Sequence, residues 1–373
     1  MQLAPPIHGA SMMNGYLTKS TLINTNFDLE IINLQFNKSL GELKKFSIGK
    51  IFKAFQYALK IMIKMFQFKP DLVYFTLSSK GFAFYRDAFY IFLIKRFNTK
   101  IILHLHSKGI RNNALRSPLI TYIYRLVFKN TESICLSNNL AHDIENVSKS
   151  KPYVIPCGIP VIKVTNEDSA EKIHSTPQIL YLSNFIETKG VLVFIEALGL
   201  IHEKGLNFNA RIVGAPADVT MDILEKKIRD ENLTSLIKIV GPLYNEGKNE
   251  EYENADLFVF PTFYENEAFP LVLLEALQFS LPVISTFEGG IPEMIINNET
   301  GILVEGRNVE MLASKISSLL NDPLLRKEIG DKGRIRFMNN YTLEHFENRI
   351  LKTFNDVLNK PTTEPNLKTS VLN

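Results

Sequence analysis

Two glutamates, Glu267 and Glu275, stand with seven residues between them in the stretch Pro-Thr-Phe-Tyr-Glu-Asn-Glu-Ala-Phe-Pro-Leu-Val-Leu-Leu-Glu, positions 261–275. Paired carboxylates can hold sugar hydroxyls, or can act as the acid and the nucleophile of a glycoside hydrolase. Pro270 suits the first position of a helix, since its fixed φ fits a helix start and its missing N–H would be unpaired there anyway. Glu267 is then on a loop facing the helix N-terminus, and Glu275 is more than a turn inside. A loop carboxylate beside free backbone N–H groups fits a ligand that carries both hydroxyls and phosphate. The spacing alone is common by accident, and it equally describes two solvated glutamates on a capped helix.

The elements that must position this pair lie on both sides of it. An apolar run, Leu257 to Phe260, leads into Pro261, and Leu271 to Phe279 is helical in pattern. Ile179 to Asn184 reads as a strand, followed by Phe185 to Gly190 and a helix through Leu200, so Lys189 falls in a strand-to-helix loop. Phe208 to Val213 and Ile237 to Val240 are strands with glycine at their ends. Leu281 to Thr286 is another, running into a glycine pair, Gly289 and Gly290, ahead of Pro292 and Glu293. Asn298 to Val304 reads as a turn and short strand, and Val309 to Leu320 as a helix that stops at Asp322-Pro323. Thr342 to Leu358 is a final amphipathic helix.

The first half alternates in the same way. Pro5-Pro6-Ile7-His8-Gly9 reads as a loop feeding a helix, and Leu29 to Phe36 as a strand. Short strands follow at Pro70 to Phe75, Lys100 to His106, Ile134 to Ser137 and Tyr153 to Ile159, with an aromatic helix at Gly81 to Phe97. Ligands of open α/β sheets bind at the carboxyl ends of strands, where His106 falls; His104 alternates to the same face. Short apolar strands alternating with helices describe doubly wound α/β domains.

The chain has 373 residues, long enough for two cores. Hydrophobic content of 45% and charged content of 22% are those of a globular protein. Cys135 and Cys157 allow at most one bridge and no metal-type spacing, which fits a reduced, cytoplasmic setting. Met1 to Ala10 lacks the charged and apolar regions of a signal peptide. The longest apolar run, Ala88 to Ile94, is far short of the roughly 20 residues a membrane span needs. Gly241 to Lys248 looks like a phosphate-binding loop, but it is one residue too long and Asn249 replaces the metal-binding hydroxyl. No GxGxxG follows a strand, which argues against a dinucleotide enzyme.

Charge is divided unevenly. Residues 1–163 hold 22 Lys and Arg against 8 Asp and Glu, and the remainder holds 20 against 31. The first half is therefore the one that faces an anionic partner. Within it, segment 44–66 places Ile48, Ile51, Phe52, Phe55, Leu59, Met62, Ile63 and Phe66 on one helical face and Lys50, Lys53, Lys60 and Lys64 on the other. The pattern fits a basic amphipathic helix lying on anionic lipid, and it fits a helix that covers a sheet with its lysine face solvated. The two are compatible, since the lysine face can approach a membrane while the apolar face packs inward.

Seven segments, 5–9, 104–109, 134–137, 153–159, 183–190, 261–275 and 288–293, together resemble the retaining glycosyltransferases of family 4 (glycosyl transferases group 1). The resemblance runs from about His8 to Asn359. It implies the GT-B fold: two Rossmann-like doubly wound domains facing across a cleft, with a C-terminal helix crossing back to the first. The expected division is an acceptor-binding domain at 1–163, a linker at 164–178 and a nucleotide-sugar-binding domain at 179–341. A crossover helix at 342–359 and a disordered tail at 360–373 complete it. The implied reaction moves a sugar from a nucleotide sugar to a glycan or lipid-linked glycan with retained configuration, as in polysaccharide or lipopolysaccharide synthesis.

The resemblance also implies roles. Glu267 would fix the donor sugar through its hydroxyls, and Glu275 would bind the ribose. His106 would contact the sugar side of the cleft. Gly9 would bring its backbone to the donor diphosphate, and Ala268, Phe269, Pro270 and Leu271 would form the loop and helix start around it. Lys189 would neutralise the diphosphate with the N–H groups of Phe269 and Leu271. Asn184 stands where family members carry an Arg, so more of that charge falls on Lys189. No Asp-x-Asp occurs in the chain, so neither a metal nor another cofactor is expected. The expected location is cytoplasmic, at the inner face of a membrane. Two other readings remain: a non-catalytic nucleotide-sugar-binding partner of an active enzyme, and a glycosidase using Glu267 and Glu275. Nucleic-acid binding through the basic half has no motif to support it.

Overall fold

Among the described residues of the computed structural model every strand pairs in parallel, in two separate sheets. The structure describes residues 1–36, 48–162 and 175–360. Most of the expected linker and the expected tail beyond Lys360 lie outside the described residues, as do residues 44–47 of the basic segment.

The first lobe holds β1 (Leu72–Leu77), β2 (Lys100–Leu105), β3 (Glu132–Cys135) and β4 (Tyr153–Val154), in that spatial order. The second holds β5 (Gln178–Leu182), β6 (Asn209–Val213), β7 (Ile237–Gly241), β8 (Leu257–Val259), β9 (Val283–Thr286) and β10 (Ile302–Val304). Its spatial order is β10-β9-β8-β5-β6-β7. Counted from β5, that is the 3-2-1-4-5-6 order of a dinucleotide-binding sheet, whose crevice opens where the order reverses, between β5 and β8. Parallel strands are covered on both faces and need near-continuous apolar runs. Here Leu257–Val259, Val283–Thr286 and Ile302–Val304 are buried throughout.

The last helix, Leu343–Asn359, returns to the first lobe, as the resemblance implied. Phe354 packs edge-on against Phe27 and Tyr74, with ring centroids 5.6 and 5.8 Å apart. Lys100 of β2 donates to the terminal carbonyls of Val357 (3.0 Å) and Leu358 (2.6 Å), the charge best placed to cap a helix C-terminus. Where the chain crosses, Ile159 N–H donates to Tyr341 (3.0 Å) and Leu343 N–H to Ile159 (2.7 Å). Gly158 permits the contact, since a Cβ there would lie 2.3 Å from the Thr342 carbonyl.

Three expectations need correction and one, the helix stop at Asp322-Pro323, is met and extended. Leu29 to Phe36 is not a strand. Residues 27–36 run irregularly, with Met1 N–H donating to Ile32 (3.2 Å) and Leu34 N–H to Met1 (2.8 Å), too little backbone pairing for a ladder. The helix Ile48–Phe68 packs with a different face: Ala58, Ile61 and Met65 are buried, while Phe52, Phe55, Leu59, Ile63 and Phe66 are exposed. Small residues let this helix lie close to its neighbour Gly81–Ile94, whose Tyr90 hydroxyl donates to the Ala54 carbonyl at 2.9 Å. Asp322-Pro323 both ends the helix Val309–Asn321 and starts another, Pro323–Asn340, with Asp322 accepting from Leu325 N–H at 2.9 Å. Pro270 is the cap rather than the first residue of Leu271–Gln278, with an extended ψ of 114°.

Candidate active site

The C-terminal ends of β5 and β8 meet at the crevice of the second sheet. After β5 a single 3-10 turn, Glu187–Lys189, runs into Gly190 at φ +84° and the helix Val191–Glu203. A Cβ on Gly190 would lie 2.2 Å from the Pro261 carbonyl, so only glycine lets the loop after β8 come this close. Phe263 N–H then donates to the Thr188 carbonyl at 2.8 Å. The result is that Lys189 Nζ stands 2.5 Å from Glu267 Oε2, to which Thr262 Oγ1 also donates at 3.2 Å. Glu267 is only 6% exposed.

The glycine pair fixes the far side of the same loop. A Cβ on Gly289, at φ +54°, would lie 2.2 Å from the Glu267 carbonyl, and Gly290 N–H donates to Ala268 at 2.7 Å. Ala268, Phe269 and Leu271 are buried here, and Pro270 caps the helix Leu271–Gln278 without any side-chain hydrogen bond. The first N–H groups of that helix have no carbonyl within it to bond.

Glu275 lies on the second turn of the same helix. Its carboxylate accepts from Lys248 Nζ at 2.6 Å and from the Tyr252 hydroxyl at 2.9 Å. Burial, and then the Glu275 charge, push the Tyr252 phenol well above its ordinary range. Lys248 and Tyr252 sit one turn apart on the helix Asn245–Glu253, which replaces the phosphate-loop look-alike of the sequence. Neither was identified from sequence; their i, i+4 spacing was the only available sign.

The first lobe contributes histidines. His106 follows β2 and His104 lies within it, their rings 4.0 Å apart. The Tyr74 hydroxyl bonds His104 Nδ1. The Nε2 atoms of both histidines are buried with no hydrogen-bond partner among the described residues. Burial, helped by the nearby charge of His8, lowers His106 from 6.5 to about 3, and burial with His106 holds His104 well below its usual value. Both are neutral at pH 7, so His106 can exchange a hydrogen bond with a ligand but adds no charge. His8, not singled out in the sequence, caps the helix Gly9–Lys19 by accepting from Ser11 N–H at 3.3 Å. Gly9 is its first residue, with open space where a Cβ would be.

The lobes touch across the crevice. Lys80 donates to Asn266 Oδ1 at 2.7 Å, beside Glu267. Glu293 accepts from the N–H groups of Asn138 (3.0 Å) and Asn139 (2.7 Å). Burial raises the Glu288 carboxyl, an effect the Lys108 charge opposes and the Glu267 charge adds to. The Glu275 charge likewise reaches Tyr16 of the first lobe, adding to a rise caused first by burial. Asn184 is half-buried after β5, and its carbonyl accepts from Ile186 N–H at 2.7 Å. The structure thus gathers Glu267, Lys189 and residues 268–271 at one point, with Glu275 one helix turn beyond. His106 and Gly9 lie on the lobe that faces them.

Residues 163–336 match the family described as glycosyl transferases group 1. The capsular polysaccharide biosynthesis glycosyltransferase CapM of Staphylococcus aureus is 27% identical over 248 residues, 62% of this chain and 63% of CapM. The poly(ribitol-phosphate) alpha-N-acetylglucosaminyltransferase of the same species is 26% identical over 229 residues, 57% of this chain and 45% of that one. The chain therefore spans about three-fifths or less of the length of these curated relatives. Among solved structures, sucrose-phosphate synthase from Thermosynechococcus elongatus superposes with a TM-score of 0.68 at 22% identity, over 85% of this chain and 81% of that one. Anabaena HepE, in complex with UDP and glucose, gives 0.66 at 17% identity, over 83% of each chain. These likenesses establish the GT-B fold.

Proposed function

We propose that this protein is a retaining glycosyltransferase that moves a sugar from a nucleotide sugar to a glycan or lipid-linked glycan in cell-surface polysaccharide synthesis, at the cytoplasmic face of a membrane. The observation that carries the reading is the Lys189–Glu267 pair at the crevice of a 3-2-1-4-5-6 sheet. A nucleotide sugar offers what each partner lacks when the pair is broken: hydroxyls for the carboxylate and a diphosphate for the ammonium. The group 1 match over this lobe and the capsular role in CapM's name support it.

In this reading Glu267 orients the donor sugar and faces the positive charge that develops on the ring. Lys189 and the N–H groups of Phe269 and Leu271 stabilise the departing diphosphate, with Ala268 and Pro270 shaping the turn that presents them. Gly9 brings backbone from the other lobe to the same phosphates, and Asn184 adds a neutral contact. Glu275, held by Lys248 and Tyr252, takes the ribose. Neutral His106 hydrogen-bonds the sugar. Three uncharged or cationic contacts and a helix start serve in place of a metal, and contact between the lobes excludes water.

Each glutamate has its own lysine, which suits two contacts to one ligand better than the shared acid–nucleophile work of a glycosidase. Asn184 favours a second reading, a protein that binds the nucleotide sugar without turning it over. A thermal-shift screen of nucleotide sugars on the wild type, Glu267→Ala and Glu275→Ala tests the site. Unchanged donor binding and product formation in both variants would refute it. Binding with no product from any acceptor would favour the second reading.

A further inference from the structure

The helix Ile48–Phe68 carries an apolar ridge that the fold leaves outside. Phe52, Phe55, Leu59, Ile63 and Phe66 recur at helical spacing and are 44–65% exposed, on a different side from the buried strip of Ala58, Ile61 and Met65. The ridge continues onto the helix Gly81–Ile94, where Phe89 stands edge-on to Phe55 with centroids 6.4 Å apart and is itself 42% exposed. Scattered apolar residues are normal on a protein surface, but a contiguous stripe of this size marks a contact surface. Its polar border is formed by Gln56, Lys60 and Gln67, all exposed.

The surrounding charge identifies the occupant. From residue 48 to residue 131 the chain has 15 Lys and Arg and two acidic residues, Asp71 and Asp87. Asp87 is buried and neutralised by Arg86 at 2.6 Å. Of the helix's own four lysines Lys64 is paired with Glu30 at 2.8 Å, and residues 1–163 as a whole hold 22 Lys and Arg against 8 Asp and Glu. A predominantly basic lobe bearing a long apolar stripe is complementary to an anionic surface with an apolar interior. We infer that this ridge docks the protein on an anionic lipid bilayer, its aromatic and aliphatic side chains entering the boundary between headgroups and acyl chains while Lys60 meets the headgroup phosphates. In this orientation the apolar face meets lipid and the lysine edge borders it, so the lysine face is not the one that approaches the membrane while the apolar face packs inward. This surface complements the lipid-linked acceptor proposed above, but its test uses neither donor nor acceptor and can fail while the transfer reading stands.

The chain contains no tryptophan, so Leu59→Trp gives a single reporter on the ridge, and Leu324→Trp gives one on the other lobe, where Leu324 is 80% exposed. With vesicles of phosphatidylglycerol and phosphatidylcholine in equal parts, emission from Leu59→Trp should shift to the blue and be quenched by brominated acyl chains. Leu324→Trp should show neither change. Binding should weaken about tenfold on phosphatidylcholine alone, as anionic attraction is lost. A Phe55→Ser, Phe66→Ser double variant should no longer float with the vesicles while its far-UV circular dichroism is unchanged. No quenching of Leu59→Trp, or equal quenching of Leu324→Trp, would overturn the inference. Blue emission from Leu59→Trp that grows with protein concentration without lipid would overturn it in favour of a second copy of the chain.

Discussion

Lys189 and Glu267 come from the ends of two adjacent strands and meet at 2.5 Å, with Thr262 donating to the same carboxylate oxygen. The two charges neutralise each other, so each side chain is held in place by its partner. Lys189→Ala leaves a nearly buried carboxylate with no cation and only the Thr262 hydroxyl donating to it, and should lower stability by about 1–3 kcal/mol in urea unfolding. The same variant should lose the thermal shift given by a nucleotide sugar, whereas Lys189→Arg keeps part of it.

Glu267→Gln preserves shape and removes charge. In steady-state assays it should lower kcat by about a hundredfold or more, the usual effect of removing one group aimed at developing charge. KM for the donor should change little, because Lys189 and Glu275 remain.

Glu275→Ala should act oppositely, weakening nucleotide affinity with a smaller effect on kcat. It strands Lys248 and leaves the Tyr252 hydroxyl only its longer bond to the Val272 carbonyl (3.3 Å), so a stability loss of about 1–3 kcal/mol is expected too. Glu275→Gln can still accept from Tyr252. It should recover most of that stability in calorimetry, though not the affinity.

Gly190→Ala places a Cβ 2.2 Å from the Pro261 carbonyl at a φ of +84°. The strained backbone alone costs on the order of 1–2 kcal/mol. The two loops must also part, so the variant should lose donor binding as well as stability, measured by titration and by denaturant.

The buried histidines predict an acid dependence. His106 titrates at about 3 when folded against 6.5 in its ordinary state, so between those values the unfolded chain binds the proton that the folded one refuses. Stability from this group is complete above about pH 6.5 and declines as pH falls toward 3. The slope is at most about 1.4 kcal/mol per pH unit. His104 adds in the same direction. Urea unfolding from pH 7 to pH 4 should show a shallower decline for His106→Asn, and an unchanged slope would mean that the folded protein protonates His106 freely.

Much of the second lobe was legible because its strands are short apolar runs bounded by glycine, proline or asparagine, as Ile179 to Asn184 illustrates. Spatial order was not, since nothing in Leu257–Val259 says that it lies beside β5 rather than β7. The partners of Glu275 were hidden because Lys248 belongs to a segment that looks like a glycine loop and folds as a helix. Pro323–Asn340 was missed because its apolar residues do not gather on one face, with Leu324 and Ile335 exposed and Ile329 and Phe337 buried. The facing of Ile48–Phe68 was read wrongly because periodicity weighs large side chains most. Packing chose the strip with alanine, which allows the closer approach.

The bonded crossing at Ile159, Tyr341 and Leu343 has a mechanical meaning. Two passages of the chain between the lobes run side by side there and share backbone hydrogen bonds. A single tether would let the lobes twist, slide or swing; two joined ones act as a pin, leaving rotation about one line as the easy motion. Lys80 with Asn266, and Glu293 with Asn138 and Asn139, are side-chain bridges between the lobes that such a rotation would have to break.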